Sequence, residues 1–325
     1  MNPVLESVLP VIEASRDVET DLVRLADVAG WLAYEELPQP ATFMPFPLAL
    51  PRDEIVDFVL VASSLNFAYT DFETRERWDL VVGGRAYADA DGLHAALHRA
   101  VGEGVPVLDG AWLAQVTADE LRQVLRGGTS ELQMLDERAA ILREIGETLV
   151  ERHDGRFHNM VDAASPQLYD GGNGYLEVLT REFPRFDDVA EWEGREVRFW
   201  KLAQLSAWIL EVTLRDEGGL GFPDLDRLSA FADYIVPAAL GAMGVLRYSR
   251  RLGQAIAEGR LIEAGSPWEV ELRAHTIYAT DLLCDRVNEL RPADLQVIVP
   301  QIDARLWLPF HKTHLPHHLT RTIHY

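Results

Sequence analysis

The sequence predicts a mainly α-helical protein, a single helical domain over residues 1–325 with one small β-hairpin. Three observations carry this expectation. One stretch, Trp78 to Ala88, reads as two short strands about a Gly83-Gly84 turn, and it is the clearest strand signal in the chain. From Leu93 onward helical patterns follow one another almost to the C-terminus. No linker, internal repeat or low-complexity segment divides the 325 residues.

Taken in order, a helical N-terminal segment carries Ser15-Arg16-Asp17-Val18 and continues through Leu22–Trp31. Gln39 to Pro51 is rich in proline and aromatics (Phe43, Pro45, Phe46, Pro47) and reads as an ordered loop. Val56–Tyr69 is apolar throughout. Periodicity alone does not separate strand from buried helix there, and we read it as a buried helix ending in Ser64-Leu65-Asn66-Phe67-Ala68-Tyr69. After the hairpin come helices at Leu93–Val101, at Thr117–Leu125 behind a Thr117…Glu120 capping box, and at Leu135–Val150. Asp170-Gly171-Gly172-Asn173-Gly174 is a turn without the spacing of a phosphate-binding fingerprint. A long helix over Val197–Leu214 follows, with Phe199, Leu202, Leu205, Ile209 and Val212 along one side. Further helices are expected at Asp224–Phe231, Pro237–Val245, Leu252–Glu258, Glu269–Asn288 and Pro292–Leu308, before an irregular tail, Pro309–Tyr325.

Composition narrows the functional classes. Thirty basic against 52 acidic residues give a net charge of −22, which repels the phosphate backbone of a nucleic acid. The longest basic run, Arg247-Tyr248-Ser249-Arg250-Arg251, is too short to reverse that. A small anionic ligand stays compatible, since a few buried cations hold one phosphate. No run approaches the ~18 apolar residues of a membrane span, and the N-terminal MNPVLESVLPVIEAS lacks the basic start of a signal peptide. Cys284 is alone, which excludes an intrachain disulfide and a multi-cysteine zinc site. A cytoplasmic protein is expected.

Candidate chemistry gathers at Phe231-Ala232-Asp233-Tyr234, followed by Ile235-Val236-Pro237. Pro237 disfavours helix at Val236 and suits the first turn of a new one, so an acid and two aromatics stand at a helix-break-helix unit. An aspartate near a helix start meets the positive end of the macrodipole and should stay ionised. Local pattern alone equally describes a simple helix cap. Lys201, flanked by Phe199, Trp200 and Leu202, must snorkel or find an anion. Asp303 and Trp307, four apart, share a helix face, where an acid beside an aromatic can bond and stack a heterocyclic base or form an ordinary surface pair. Glu269, Glu271 and Arg273 read as surface or inter-helix ion pairs. His311, His314, His317, His318 and His324 crowd the tail, but Pro316 breaks their spacing and no carboxylate is close in sequence, so no metal site is expected. No serine or cysteine nucleophile motif is present.

Several segments together resemble the queuosine salvage protein family: Ser15-Arg16-Asp17-Val18, Leu65-Asn66-Phe67, Phe199-Trp200-Lys201-Leu202-Ala203-Gln204, Phe231-Ala232-Asp233-Tyr234 with Pro237, Leu246-Arg247-Tyr248-Ser249 and Glu269-Val270-Glu271-Leu272-Arg273. The resemblance implies a fold similar to helix-hairpin-helix DNA glycosylases. It also implies an N-glycosyl hydrolase that releases queuine from queuosine 5'-monophosphate for tRNA modification, with no cofactor. By position it makes Asp233 the catalytic acid and Lys201 the active-site lysine, and it places Phe231, Tyr234, Asp303, Asn66, Phe67 and Trp307 on the substrate. The chain departs from the family pattern at Ala304 and Leu308, where tyrosine and a second aspartate are usual, and Thr42–Pro47 lacks a histidine found in some members. A non-catalytic queuosine- or queuine-binding protein and a DNA glycosylase are the alternatives, the second opposed by net charge.

Overall fold

In the computed structural model the described residues are 2–37, 44–217, 219–311, 313 and 315–325. Of the sequence expectations, residues 39–43 of the aromatic loop and His314 of the tail fall outside them. The protein is mainly helical with short antiparallel strand pairs, and it divides into two compact units. The first contains Met1–Pro40, Asp188–Gln204 and Leu225–Arg321; the second contains Ala41–Asp187, Leu205–Asp224 and Thr322–Tyr325.

The first unit is built around one 24-residue helix, Pro267–Leu290. Proline in its first turn costs no hydrogen bond, because that N–H has no partner inside the helix. The helices Pro3–Ala14, Leu22–Leu32, Ile235–Ala242 and Val299–Phe310 all pack on it. Glu269 to Ile277 are buried without interruption, so this stretch is covered on every side and exposes no polar stripe. Its charges therefore need internal partners, and the expectation of surface ion pairs fails there. Glu271 is buried and accepts from three successive backbone N–H groups, those of Arg16 at 3.2 Å, Asp17 at 2.7 Å and Val18 at 2.9 Å. That nest starts the strand Val18–Thr20, which pairs antiparallel with Leu246–Tyr248. His275, one turn further, is bracketed by Thr20 Oγ1 at 2.8 Å and Ser15 Oγ at 2.9 Å. Two segments that carry the family resemblance thus have an architectural reason for their residues.

Other helix boundaries depart from the periodic reading. Val197–Leu214 is not one helix: Arg195–Arg198 is a strand paired with Val189–Trp192, and the helix runs Lys201–Thr213. Glu193 and Gly194, at φ 49° and 75°, make the tight turn between these strands. Asp224–Phe231 is not helical beyond a 3-10 turn at Leu225–Arg227. The Pro237 helix begins two residues earlier, at Ile235, and the last helix spans Val299–Phe310.

The second unit holds the helix Arg52–Ser64, buried from Ile55 to Ser64, with Leu65 as its C-cap. It also holds the expected hairpin, Asp79–Val82 with Arg85–Ala88. Gly83 and Gly84 sit at φ 58° and 80°, the conformation that a two-residue turn of this hand demands. The Thr117–Glu120 capping box forms as read, Thr117 N to Glu120 Oε2 being 2.9 Å. No described helix is long and apolar enough to cross a membrane.

Because Glu271 is the acceptor for three buried or half-buried N–H groups, Glu271→Ala should lower unfolding free energy by about 3 kcal/mol in urea titration. Glu271→Gln, which keeps one acceptor oxygen, should lose about 1 kcal/mol. Equal, small losses would remove the nest from the account of this fold.

Candidate active site

The site is a short extended loop, 228–234, which side chains from distant segments hold open. Ser229 N donates to Gln204 Oε1 at 2.8 Å, and Phe231 N donates to Asp303 Oδ2 at 2.9 Å. The Ala232 carbonyl accepts from Arg273 Nε at 3.0 Å. These bonds replace the i to i−4 ladder that an amphipathic helix over Asp224–Phe231 would need, which is why the pattern there misleads. Beyond the loop, Tyr248 Oη donates to the Pro237 carbonyl at 2.8 Å and passes over Gly241, where an added Cβ would lie 2.7 Å from Oη.

Asp233 is buried and caps the helix Ile235–Ala242. Its Oδ1 accepts from Ile235 N at 2.7 Å and Val236 N at 3.0 Å, and its Oδ2 accepts from Trp307 Nε1 at 2.9 Å. The capping reading is therefore correct in geometry. It uses one carboxylate oxygen for the helix and leaves the other shared with a single indole. Asp303 and Trp307 do share a helix face, as their spacing requires, and both are directed to this loop rather than to solvent.

Asp303, 4% exposed, has its carboxyl pushed up to about 7. Burial is the largest cause and the Asp233 charge adds to it; the Phe231 N–H and the Lys201 charge oppose both. Lys201 is thus electrostatically within the same cluster. It is buried, but it opens its helix instead of lying inside it. A cation at a helix N-terminus faces the positive end of the macrodipole, so that position is stabilised only by nearby anions. Asp188 stands there: its Oδ2 accepts Lys201 N at 3.3 Å, and its main-chain oxygen accepts Phe199 N at 2.9 Å and Trp200 N at 3.0 Å. Trp200 is held at φ 46°, an uncommon conformation for a residue with a side chain.

Phe231 is buried beside this cluster, and Tyr234 is half-buried with its ring stacked on His317, centroids 4.5 Å apart at 29°. Trp307 stacks on His311 at 4.3 Å and 13°. The histidine tail therefore reaches the site aromatics, a role its spacing did not reveal. His318 is buried and pushed down to about 3, by burial first and then by the charges of His317 and Arg273, so it is neutral. Among the described residues no three His, Cys, Asp or Glu side chains converge on a metal position. Cys284 is buried, with its thiol pushed up to about 12 by burial and then by Asp281 and Asp285. Asn66 and Phe67 belong to the second unit. There the Phe67 ring carries the Arg138 guanidinium at 3.9 Å and that of Arg185 at 4.9 Å, and Arg138 also donates to the Leu65 and Phe67 carbonyls. Asp188 and Gln204 escaped sequence reasoning as site-building residues; only the family-like segments around Lys201 and Arg273 pointed near them.

The raised Asp303 carboxyl has a defined thermal consequence. Below about pH 4 it is protonated folded or unfolded; between there and about 7 only the folded state keeps the proton; above that neither does. Its contribution to stability therefore falls as pH rises from about 4 to about 7 and is constant beyond. Asp303→Asn, which can still accept from Phe231 N, should gain melting temperature relative to the unaltered protein across that window. Parallel melting curves for the two would refute the assignment.

The chain matches the "Queuosine salvage protein" family over residues 48–325. It is 36% identical to a protein of Sphaerobacter thermophilus named queuosine 5'-phosphate N-glycosylase/hydrolase, covering 99% of this chain and 97% of that protein. Proteins of the same name from Bos taurus and Mus musculus are each 29% identical, over 98% and 82% of this chain and 98% and 81% of their own lengths. Matches of this extent, across both units and nearly end to end, place the chain in the queuosine salvage protein family.

Proposed function

We propose that this protein hydrolyses the N-glycosidic bond of queuosine 5'-monophosphate, freeing the 7-deazaguanine base queuine for salvage into tRNA modification and leaving ribose 5-phosphate. Relatives bearing that activity in their names cover almost the whole chain. The observation that carries the reading to named residues is the buried cluster of Asp233, Asp303 and Lys201 around one loop.

Breaking such a bond builds cationic, oxocarbenium-like character on the ribose. A fixed carboxylate near C1' stabilises that charge without reorganising. In this reading Asp233 Oδ2 faces the sugar, because Oδ1 is committed to the helix N–H groups. Three N–H donors suit a carboxylate that stabilises charge or orients water better than one that must attack carbon. A 7-deazapurine has carbon at position 7, so no proton can be placed there to help the base depart. Polar contacts at the base edge matter more for it, and Asp303, near half protonation at neutral pH, can accept or donate there. Phe231, Tyr234 and Trp307 supply aromatic surface to the base, and Lys201 holds the 5'-phosphate or the ribose against a net charge of −22. We infer further that residues 1–325 work as one N-glycosylase domain of the helix-hairpin-helix glycosylase kind, in the cytoplasm. The helical content and the family match across both units support this.

Incubation with queuosine 5'-monophosphate and chromatography for free queuine tests the reading directly; no release would end it. Asp233→Asn keeps the cap acceptor while removing the charge and the acceptor for Trp307 Nε1, so it should lower the melting temperature only modestly and cut turnover on the order of 10³-fold. Retained turnover would move the catalytic role elsewhere. Lys201→Ala should weaken the nucleotide by about tenfold or more while changing the unphosphorylated nucleoside little. Equal losses on both would assign Lys201 to the ribose.

A further inference from the structure

Arg273 lies in a segment that resembles the family yet has no part in the mechanism above. It is 2% exposed, within Glu269–Ile277, the stretch of its helix that is covered on all sides. Its guanidinium makes a two-pronged pair with Asp188, Nη1 to Oδ1 at 2.9 Å and Nη2 to Oδ2, while Nε donates to the Ala232 carbonyl at 3.0 Å. Glu269 Oε1 lies 3.5 Å from Nη1, and the Phe199 ring packs under the guanidinium at 3.9 Å. The two partners that matter stand next to the site. Ala232 immediately precedes Asp233. Asp188 accepts the N–H of Lys201 and, through its main-chain oxygen, holds Trp200 in its left-handed conformation at the start of the Lys201 helix. Such backbone persists only where its surroundings over-determine it.

We propose that Arg273, acting with Asp188, is a positioning residue that sets the separation of Lys201 from Asp233, and hence of the sugar-phosphate from the carboxylate. The inference rests on the hydrolase reading above. A planar fork is needed for this task, because three donors must point at fixed angles to two different segments. A lysine carries the same charge but cannot span Ala232 and both Asp188 oxygens. Neither Arg273 nor Asp188 need touch the substrate, and the base-binding groups Phe231 and Asp303 bond to each other independently of this clamp.

The test compares the unaltered protein with Arg273→Lys, Asp188→Asn and the double variant. Melting temperature, single-turnover release of queuine from queuosine 5'-monophosphate, and calorimetric affinity for queuine are measured on each. The expected result is folded variants whose release rate falls about 10²-fold, the scale of an ångström misplacement, with queuine affinity within about threefold. The double variant should lose no more than the worse single one, as members of one clamp do. Should Arg273→Lys fail to fold, the nearly isosteric Asp188→Asn carries the same comparison. A release rate within about threefold of the unaltered protein overturns the inference alone. Parallel loss of rate, queuine affinity and melting temperature overturns it too, in favour of a merely structural pair. If the unaltered protein releases no queuine, the hydrolase reading fails and takes the inference with it.

Discussion

The first unit depends on how one fully covered helical stretch, Glu269–Ile277, disposes of its charges. Taking a guanidinium and carboxylates out of water is costly, and the cost is offset only where geometry is close and remaining donors are satisfied. Arg273 meets that condition by bonding Asp188 and a main-chain carbonyl, and Glu271 meets it by collecting backbone N–H groups. Each solution reaches outward from Pro267–Leu290 to a segment with no regular structure of its own. The N-terminal turn at Ser15–Val18 and the loop before Asp233 are thereby fixed by the same central element. Desolvated charge in this fold does what backbone ladders do elsewhere.

The carboxylates beside that element are made unequal by their surroundings. Asp233 receives two helix N–H groups and an indole, whereas Asp303 receives one backbone N–H in deeper burial. Burial first and then the neighbouring Asp233 charge raise the Asp303 carboxyl to about 7. Lys201 limits the imbalance from the opposite side. In the proposed hydrolase this division would set Asp233 toward the developing cation and leave Asp303, near half protonation at neutral pH, for the base edge.

Much of this is legible in the sequence, for identifiable reasons. The hairpin at Gly83-Gly84 and the Thr117 box are local devices, complete within a few residues. The shared face of Asp303 and Trp307 follows from helical spacing alone, although its target does not. What failed was non-local. Asp224–Phe231 has a helical pattern, but its backbone donors are taken by Gln204 and Asp303, far away in the chain. Lys201 reads as mid-helix because Val197, Phe199 and Trp200 extend the apolar pattern upstream of it, and the Glu193-Gly194 turn gives only a weak signal. Charges at Glu269, Glu271 and Arg273 read as surface or inter-helix ion pairs alike, because no sequence pattern reports that the stretch Glu269–Ile277 is covered on all sides.

In the proposed hydrolase, capping and chemistry at Asp233 are one arrangement rather than alternatives. A cap fixes the carboxylate's orientation through Oδ1, and a fixed carboxylate loses no entropy when charge develops opposite Oδ2. The helix that benefits from the cap also contributes its positive end to the same side chain. Stability and preorganisation therefore come from the same two backbone bonds. A free, uncapped aspartate would need to be immobilised some other way, and the indole of Trp307 alone would leave one rotation unconstrained. On the proposed reading, the residue pattern that resembles an ordinary helix start is also the one that prepares an acid to face a cation.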